Sequence, residues 1–169
     1  MKQDEILDTD LLDLKRRPIG ASLISVASTR LSQLLRSRLN ELVQSHSDIG
    51  LAGWRIYTGL AQMEEATQKE LVSYTKIEQS QISRALVQME QKGDLVSRQC
   101  DIDRRARRFC FTPSGRAKYE RLLPVVETYA EVIDQALSTE EVALYLNLSQ
   151  RLAQVVETAA EAASKKAPY

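Results

Sequence analysis

A run of polar side chains lies between residues 79 and 88. Its members are Gln79, Ser80, Gln81, Ser83, Arg84 and Gln88. These are hydrogen-bonding groups with a single guanidinium, whereas an ordinary solvated helix face carries a mixture of Glu and Lys. Glutamine can pair with adenine, arginine with guanine, and serine with either base. Taken alone, the run is more often a Gln- and Ser-rich surface, so the neighbouring segments must decide between the two interpretations.

The polar run lies on one side of a predicted helix. Ile82, Leu86 and Met89, with Ala85 beside them, recur at steps of three and four residues, which places them together on the opposite side. Gly93 follows as a C-cap glycine. The sequence therefore predicts an amphipathic helix with an apolar side for packing and a polar side for contact.

A second, shorter helix is predicted just before it. Thr67 and Glu70 have the spacing of a capping box, in which each side chain bonds the backbone of the other residue. The helix that they start covers about residues 68–74, and only three residues, 75–77, link it to the polar helix. Two short helices on a tight link are the layout of a helix-turn-helix.

Positive charge is concentrated directly after the polar helix. Two β-prone runs, residues 94–100 and 107–112, flank a charged segment and predict a hairpin. Five arginines lie between Arg98 and Arg108. Because the hairpin would project beside a helix-turn-helix, we interpret these arginines as contacts to phosphates and the minor groove, and not only as a solvated face.

The composition is that of a mostly helical protein without catalytic signatures. The 169 residues include 23 Lys plus Arg and 23 Asp plus Glu, so the net charge is zero. No membrane-length apolar run or signal-peptide core is evident, and a cytoplasmic protein is expected. One histidine and two cysteines form no metal cluster, and we find no nucleophile–base pair or phosphate loop. Neither an enzyme nor a cofactor is expected.

Long helices are predicted on both sides of this central part. An apolar stripe over residues 21–44 is broader than a small domain can cover, which indicates contact with another subunit. Another helix is predicted over residues 51–63. Thr112 and Pro113 open a further helix, and a capping box at residues 138–141 opens the last one.

Four motifs in this order resemble the MarR (multiple antibiotic resistance regulator) family of winged-helix transcription factors. The first two, Trp54-Arg55-Ile56 and Thr67-Gln68-Lys69-Glu70-Leu71, are similar to the family's Trp-Arg-Val and Thr-Gln-x-Glu-Leu elements. Ser80-Gln81-Ile82-Ser83-Arg84 is similar to its Ser-Thr-Val-Ser/Thr-Arg. Asp103-Arg104-Arg105 and Phe111-Thr112-Pro113-Ser114-Gly115-Arg116 are similar to its wing-tip Asp-x-Arg and Leu-Thr-x-x-Gly-Arg.

The resemblance implies a mainly α fold with a small β-hairpin wing. It implies a winged helix-turn-helix domain over residues 48–119 and a helical dimerisation region over residues 18–47 and 120–163. The highly charged residues 1–17 are expected, from their composition, to form a flexible N-terminal arm. The first, fifth and sixth helices would form a homodimer. The expected function is a sequence-specific regulator, usually a repressor, that binds double-stranded DNA at a pseudo-palindromic operator and is modulated by a small phenol or aromatic acid.

The resemblance also assigns roles to residues. The polar run, from Gln79 to Gln88, would enter the major groove. The wing residues are Asp103, Arg104, Arg105 and Arg107. Arg105 would enter the minor groove, with Asp103 holding it through a charge-assisted bond. Two positions depart from the family: Lys76 and Gln79 stand where Gly and Pro are common.

Four residues are candidates for an effector pocket, and each has a simpler interpretation. They are His46, Trp54, Arg55 and Tyr57. His46 is expected more often at the surface, and Trp54 is expected in the core. For Arg55 an internal ion pair is favoured over an anion site.

Two alternative functions remain open. Cys100 and Cys110 lie five residues on either side of Arg105, so in a symmetric hairpin they would face each other and could form a redox switch. A winged-helix protein that binds a protein partner, without reading DNA, is the other alternative.

Overall fold

The computed structural model describes residues 10–99 and 106–166, and this part of the chain is mainly helical. Two short 3-10 turns, Asp10–Leu12 and Leu14–Arg16, precede the longer elements. The helices are α1 (Leu23–His46), α2 (Leu51–Met63), α3 (Gln68–Thr75), α4 (Gln79–Gln91), α5 (Pro113–Asp134) and α6 (Thr139–Lys166). The strands are β1 (Glu65–Thr67), β2 (Leu95–Gln99) and β3 (Arg107–Phe111). The predicted winged helix fold is confirmed. Within the described ranges, no helix is both long and apolar enough to cross a membrane.

The sheet has one strand more than the sequence predicts. β3 lies in the middle and pairs antiparallel with β2 on one side and β1 on the other. Across β1 and β3, Ala66 is opposite Phe109, and both side chains are buried. β1 has only three residues, so no alternation of apolar and polar residues could identify it from the sequence.

Both predicted capping boxes are formed. At the start of α3, the Thr67 amide donates to Glu70 Oε2 at 2.7 Å and the Glu70 amide donates to Thr67 Oγ1 at 3.3 Å. At the start of α6, the Ser138 and Glu141 amides donate to each other's side chains at 2.8 and 3.3 Å. Each box satisfies backbone N–H groups that a helix start leaves without partners.

The core of the winged helix comes from α2, α3, α4 and the sheet. Tyr57, Leu60, Leu71, Ile82 and Leu86 are buried almost completely. At Gly59 a Cβ atom would lie 2.9 Å from Leu71 Cδ2, so this glycine allows α3 to pack closely on α2. That packing sets the position of the link into α4.

The described part of the predicted arm is docked on α1. The Arg30 guanidinium donates to the carbonyl oxygens of Leu12 at 2.8 Å, of Arg16 at 2.9 Å, and of Asp13. One arginine therefore donates to carbonyl oxygens of both 3-10 turns and of the residue between them. Residues 1–9 of that arm lie outside the described residues.

The chain divides into two compact units between Val126 and Glu127. The first unit contains α1 to α4, the sheet and the beginning of α5, and α1 exposes Leu23, Ile24 and Leu35. The second unit contains the rest of α5 and α6. Its exposed large apolar side chains are Val132, Ile133, Leu137, Leu144, Tyr145, Leu146, Leu148, Leu152, Val155 and Val156.

Lys76, in the link between α3 and α4, has a left-handed backbone (φ 54°, ψ 29°). Since a side chain in this region costs about 1 kcal/mol relative to glycine, Lys76→Gly should raise the free energy of unfolding by about 0.5–1 kcal/mol. Urea unfolding measures the change. Lys76→Ala is the control, because it removes the amine but keeps Cβ, and it should give no gain. A glycine variant that is no more stable than the alanine variant would contradict the expectation.

Candidate nucleic-acid interface

The polar side of α4 is exposed while its apolar side forms part of the core. Ile82, Leu86 and Met89 are at most 2% exposed. Of the predicted contact residues, Ser83 is half-buried and the other five, Gln79, Ser80, Gln81, Arg84 and Gln88, are exposed. The Arg84 Nε donates to the Ser80 carbonyl oxygen at 3.2 Å, which keeps this side chain along the helix surface. The arrangement leaves a row of hydrogen-bonding groups on a rigidly packed helix.

Two open cavities flank α4 and divide its polar residues. One, of about 890 Å³, lies between α3, α4 and β3, and its lining includes Gln79, Ser83 and Arg107. The other, of about 480 Å³, lies between α4 and the α1–α2 region, and its lining includes Gln81, Arg84 and Gln88. Ser80 lines neither cavity and is exposed between them.

The wing is the hairpin of β2, β3 and the residues that connect them. Of the four predicted wing contacts, the structure describes only Arg107, and Asp103, Arg104 and Arg105 lie outside the described residues. Arg107 is 60% exposed at its side chain, and its Nη2 lies 3.0 Å from Glu90 Oε1. Arg107 is therefore already paired with a carboxylate of α4.

The register of the wing contradicts the predicted pairing of the cysteines. Cys110 lies opposite Val96 on β2 and opposite Glu65 on β1, so the register in which it faces Cys100 is not formed. The same register is anchored at the open end of the hairpin, where the Thr112 amide donates to the Asp94 carbonyl at 3.0 Å. The symmetric spacing about Arg105 was misleading because it ignored this anchor, and Cys100 itself lies outside the described residues.

The four candidate effector residues are not brought together. Trp54 and Tyr57 are buried, and the Trp54 ring stacks on Tyr119 with centroids 5.6 Å apart. His46 is exposed, and its Nδ1 lies 3.0 Å from the Leu42 carbonyl oxygen. Arg55 is also exposed, and its predicted internal ion pair is not formed with any carboxylate in the described part of the chain. None of the four lines either cavity beside α4.

A buried ion pair that the sequence did not indicate holds the end of α4. Asp94 is fully buried, and Lys118 Nζ of α5 lies 2.8 Å from its Oδ1 and 3.5 Å from Asp48 Oδ1. The hydrogen bond with Asp94 raises the pKa of Lys118. Burial raises the pKa of the Tyr57 hydroxyl, to which the Asp94 charge also contributes. These residues come from separate segments, so no local spacing connects them.

Comparison with solved structures identifies the fold. No protein-family model matches the sequence. A MarR family transcriptional regulator from Streptomyces coelicolor, solved in complex with DNA, has a TM-score of 0.69 at 20% identity, over 82% of this chain and 91% of that one. BpsR of Bordetella bronchiseptica, whose DNA binding is regulated by 6-hydroxynicotinic acid, has a TM-score of 0.59 at 21% identity, over 73% and 98%. NadR in complex with 4-hydroxyphenylacetate has a TM-score of 0.62 at 22% identity, over 82% and 97%. The chain has the fold of these regulators.

Proposed function

We propose that this chain is a transcription regulator of the MarR type that binds a pseudo-palindromic operator as a homodimer and acts as a repressor. The observation that carries the proposal is the polar side of α4. Ser80, Gln81 and Arg84 are exposed on a helix whose opposite side belongs to the core. A packed helix with exposed base-reading groups is what major-groove recognition requires.

In this proposal α4 is the recognition helix. The B-DNA major groove admits an α-helix, and the first turns of the helix reach the base edges. The contact residues are those of the polar run, Gln79, Ser80, Gln81, Ser83, Arg84 and Gln88. The Arg84 guanidinium can bind a guanine edge or a phosphate. Phosphate contacts outnumber base contacts in such interfaces.

The tip of the wing supplies the second contact. Arg104 and Arg105 bring positive charge to a chain of zero net charge, and Arg105 enters the minor groove, where negative potential attracts arginine. Asp103, two residues before Arg105, holds its guanidinium by a charge-assisted bond. The two contacts together fix the register of the protein on the duplex.

Exposed apolar side chains support the proposed homodimer. Each unit by itself leaves such residues uncovered, including Leu35 of α1 and Val132 and Val155 of the second unit. Burial of this surface in a second copy gains about 25 cal/mol for each Å² of apolar area. A dimer places two recognition helices on half-sites about one helical turn apart.

The proposed effector is a small aromatic acid that carries a ring hydroxyl. Two structures of this fold name ligands of that chemistry, 6-hydroxynicotinic acid for BpsR and 4-hydroxyphenylacetate for NadR. Such a ligand would favour a dimer conformation in which the distance between the two recognition helices does not match the half-sites of DNA. This is because a ligand shifts populations toward the state that it binds better. Screening phenols and aromatic acids for release of a bound duplex tests this part.

Arg105→Ala should weaken binding to a duplex selected from a random pool by more than about tenfold. The slope of log affinity against log salt concentration should fall by about 0.9, since one charge on the DNA is no longer neutralised. Fluorescence anisotropy titrations at several salt concentrations measure both. The control is Arg55→Ala, which removes an exposed arginine of α2 outside the proposed interface.

Binding that survives Arg105→Ala unchanged would contradict the role of the wing. Wild-type protein that binds no duplex with steep salt dependence would contradict the function. That second result would favour the alternative winged-helix protein, which binds a protein partner and does not read DNA.

A further inference from the structure

Two glutamates hold the outer end of the wing strands, defined here by Arg98, Arg107 and Arg108. The sequence gives these glutamates no role. We infer that Glu90 and Glu65 are positioning residues, and that Arg107 is a strut between the wing and the recognition helix and does not bind phosphate. The inference rests on the proposed function. It changes the role of Arg107, which the sequence predicts to be a DNA contact.

Glu90 ties both strands of the wing to α4. Its Oε1 accepts hydrogen bonds from Ser97 Oγ of β2 at 2.6 Å and from Arg107 Nη2 of β3 at 3.0 Å. Glu90 lies in the last turn of α4, and its side chain is only 22% exposed. A partly buried pair of this kind is screened less by salt than an exposed one. One carboxylate oxygen therefore fixes the wing against the helix that reads the bases.

Glu65, on the third strand β1, holds the other two arginines. Arg98 and Arg108 lie directly opposite each other on β2 and β3, where like charges repel. Glu65 of β1 accepts a hydrogen bond from Arg98, with its Oε2 2.7 Å from Arg98 Nη2. Its Oε1 forms an ion pair with Arg108, 2.9 Å from Arg108 Nε. The hydrogen bond with Arg98 lowers the pKa of Glu65. Its single negative charge therefore offsets one of the two positive charges, and its contacts join all three strands.

Arg107 makes a second contact besides the one with Glu90. Its guanidinium carbon lies 5.7 Å from the centre of the Phe109 ring, within the range of a cation–π contact, in addition to its bond with Glu90. If Arg107 moved to a phosphate, Glu90 would remain as an unpaired carboxylate close to the DNA. The arrangement therefore favours a strut that stays intact in the complex and directs the tip of the wing.

A double-mutant cycle on the full chain tests the inference. Glu90→Gln and Arg107→Gln should each weaken binding to the selected duplex by about tenfold, and the double variant should be no weaker than either single one. The salt slope should stay at the wild-type value in all three variants, because no phosphate contact is lost. Glu120→Gln is the control, since it removes an exposed carboxylate of α5, outside the proposed interface, that forms none of the ion pairs of the described residues.

Results that fit a phosphate contact of Arg107 would contradict its role as a strut. If Arg107 binds a phosphate, Arg107→Gln lowers the salt slope by about 0.9. In that case Glu90→Gln strengthens binding, because it frees the arginine and removes a repelling charge. Additive effects of the two changes would equally overturn the inference.

Amide hydrogen exchange in the free protein gives a readout that does not depend on DNA. Both substitutions should speed exchange of the β3 amides that pair with β2, and Glu120→Gln should not. Faster exchange with unchanged duplex affinity would show that Glu90 and Arg107 stabilise the wing. It would also reject the inference that they position the wing for DNA binding. Failure of the wild-type protein to bind any duplex would reject the proposed function instead, and the exchange data would still test the contact.

Discussion

Ser80→Glu is expected to weaken binding to the selected duplex on the order of a hundredfold, since a carboxylate placed against DNA costs several kcal/mol. Ser80 is the second residue of α4, and it is exposed. A carboxylate in the first turn of a helix is favourable toward the helix dipole. The variant should therefore unfold at the wild-type temperature or slightly above it, so the loss of binding cannot come from loss of the fold.

Ser114→Glu is the matched control for this change. Ser114 is the second residue of α5, it is also exposed, and it is absent from the proposed interface. It receives the same charge at the same position of a helix. Anisotropy titrations and thermal unfolding should show tight binding for Ser114→Glu and weak binding for Ser80→Glu at equal stability. Equal losses in the two variants would mean that only net charge matters, and α4 would lose its assigned role.

Gly115→Ala should destabilise the protein by about 3 kcal/mol or more, the upper range for overpacking a tight contact. A Cβ atom at this position would lie 1.9 Å from the Asp94 carbonyl oxygen and 2.7 Å from its carbonyl carbon. These are backbone atoms, and the same oxygen accepts from the Thr112 amide at 3.0 Å. The strands of the wing and the start of α5 would have to separate to make room.

Gly50→Ala provides the comparison. There the added Cβ would lie 3.3 Å from Asn40 Oδ1, which is a side-chain atom and not part of the backbone. Urea unfolding should therefore show a small change for Gly50→Ala and a large one for Gly115→Ala. A Gly115→Ala variant as stable as Gly50→Ala would contradict the close approach of α5 to Asp94.

Local signals in the sequence predicted most of the helical framework. Thr67 and Glu70 form their capping box, and Ser138 and Glu141 form another, because each motif needs only neighbouring residues. Thr112 behaves in the same way, with its Oγ1 accepting from the Gly115 amide at 3.1 Å. The apolar side of α4 was predictable because helix periodicity alone determines which residues share a face.

Contacts between distant segments were not predictable from those signals. The Asp94–Lys118 pair joins residues 24 positions apart in the numbering. Glu65 of β1 pairs with Arg108 on β3 and with Arg98 on β2. The wing register depends on the anchoring of Thr112 at Asp94, and spacing around the tip gave the wrong partner for Cys110. The binding residues at the wing tip still rest on the resemblance, as the described residues end at Gln99 and resume at Ala106.

Selection of bound duplexes from a random pool with the intact protein tests the central claim most directly. We predict enrichment of an inverted repeat whose half-site centres lie about one helical turn, some 34–36 Å, apart. Sedimentation of the resulting complex should give two chains for each duplex. A pool that stays random after repeated rounds, or an enriched site that holds a single chain, would contradict the proposal that paired subunits present two α4 helices to DNA.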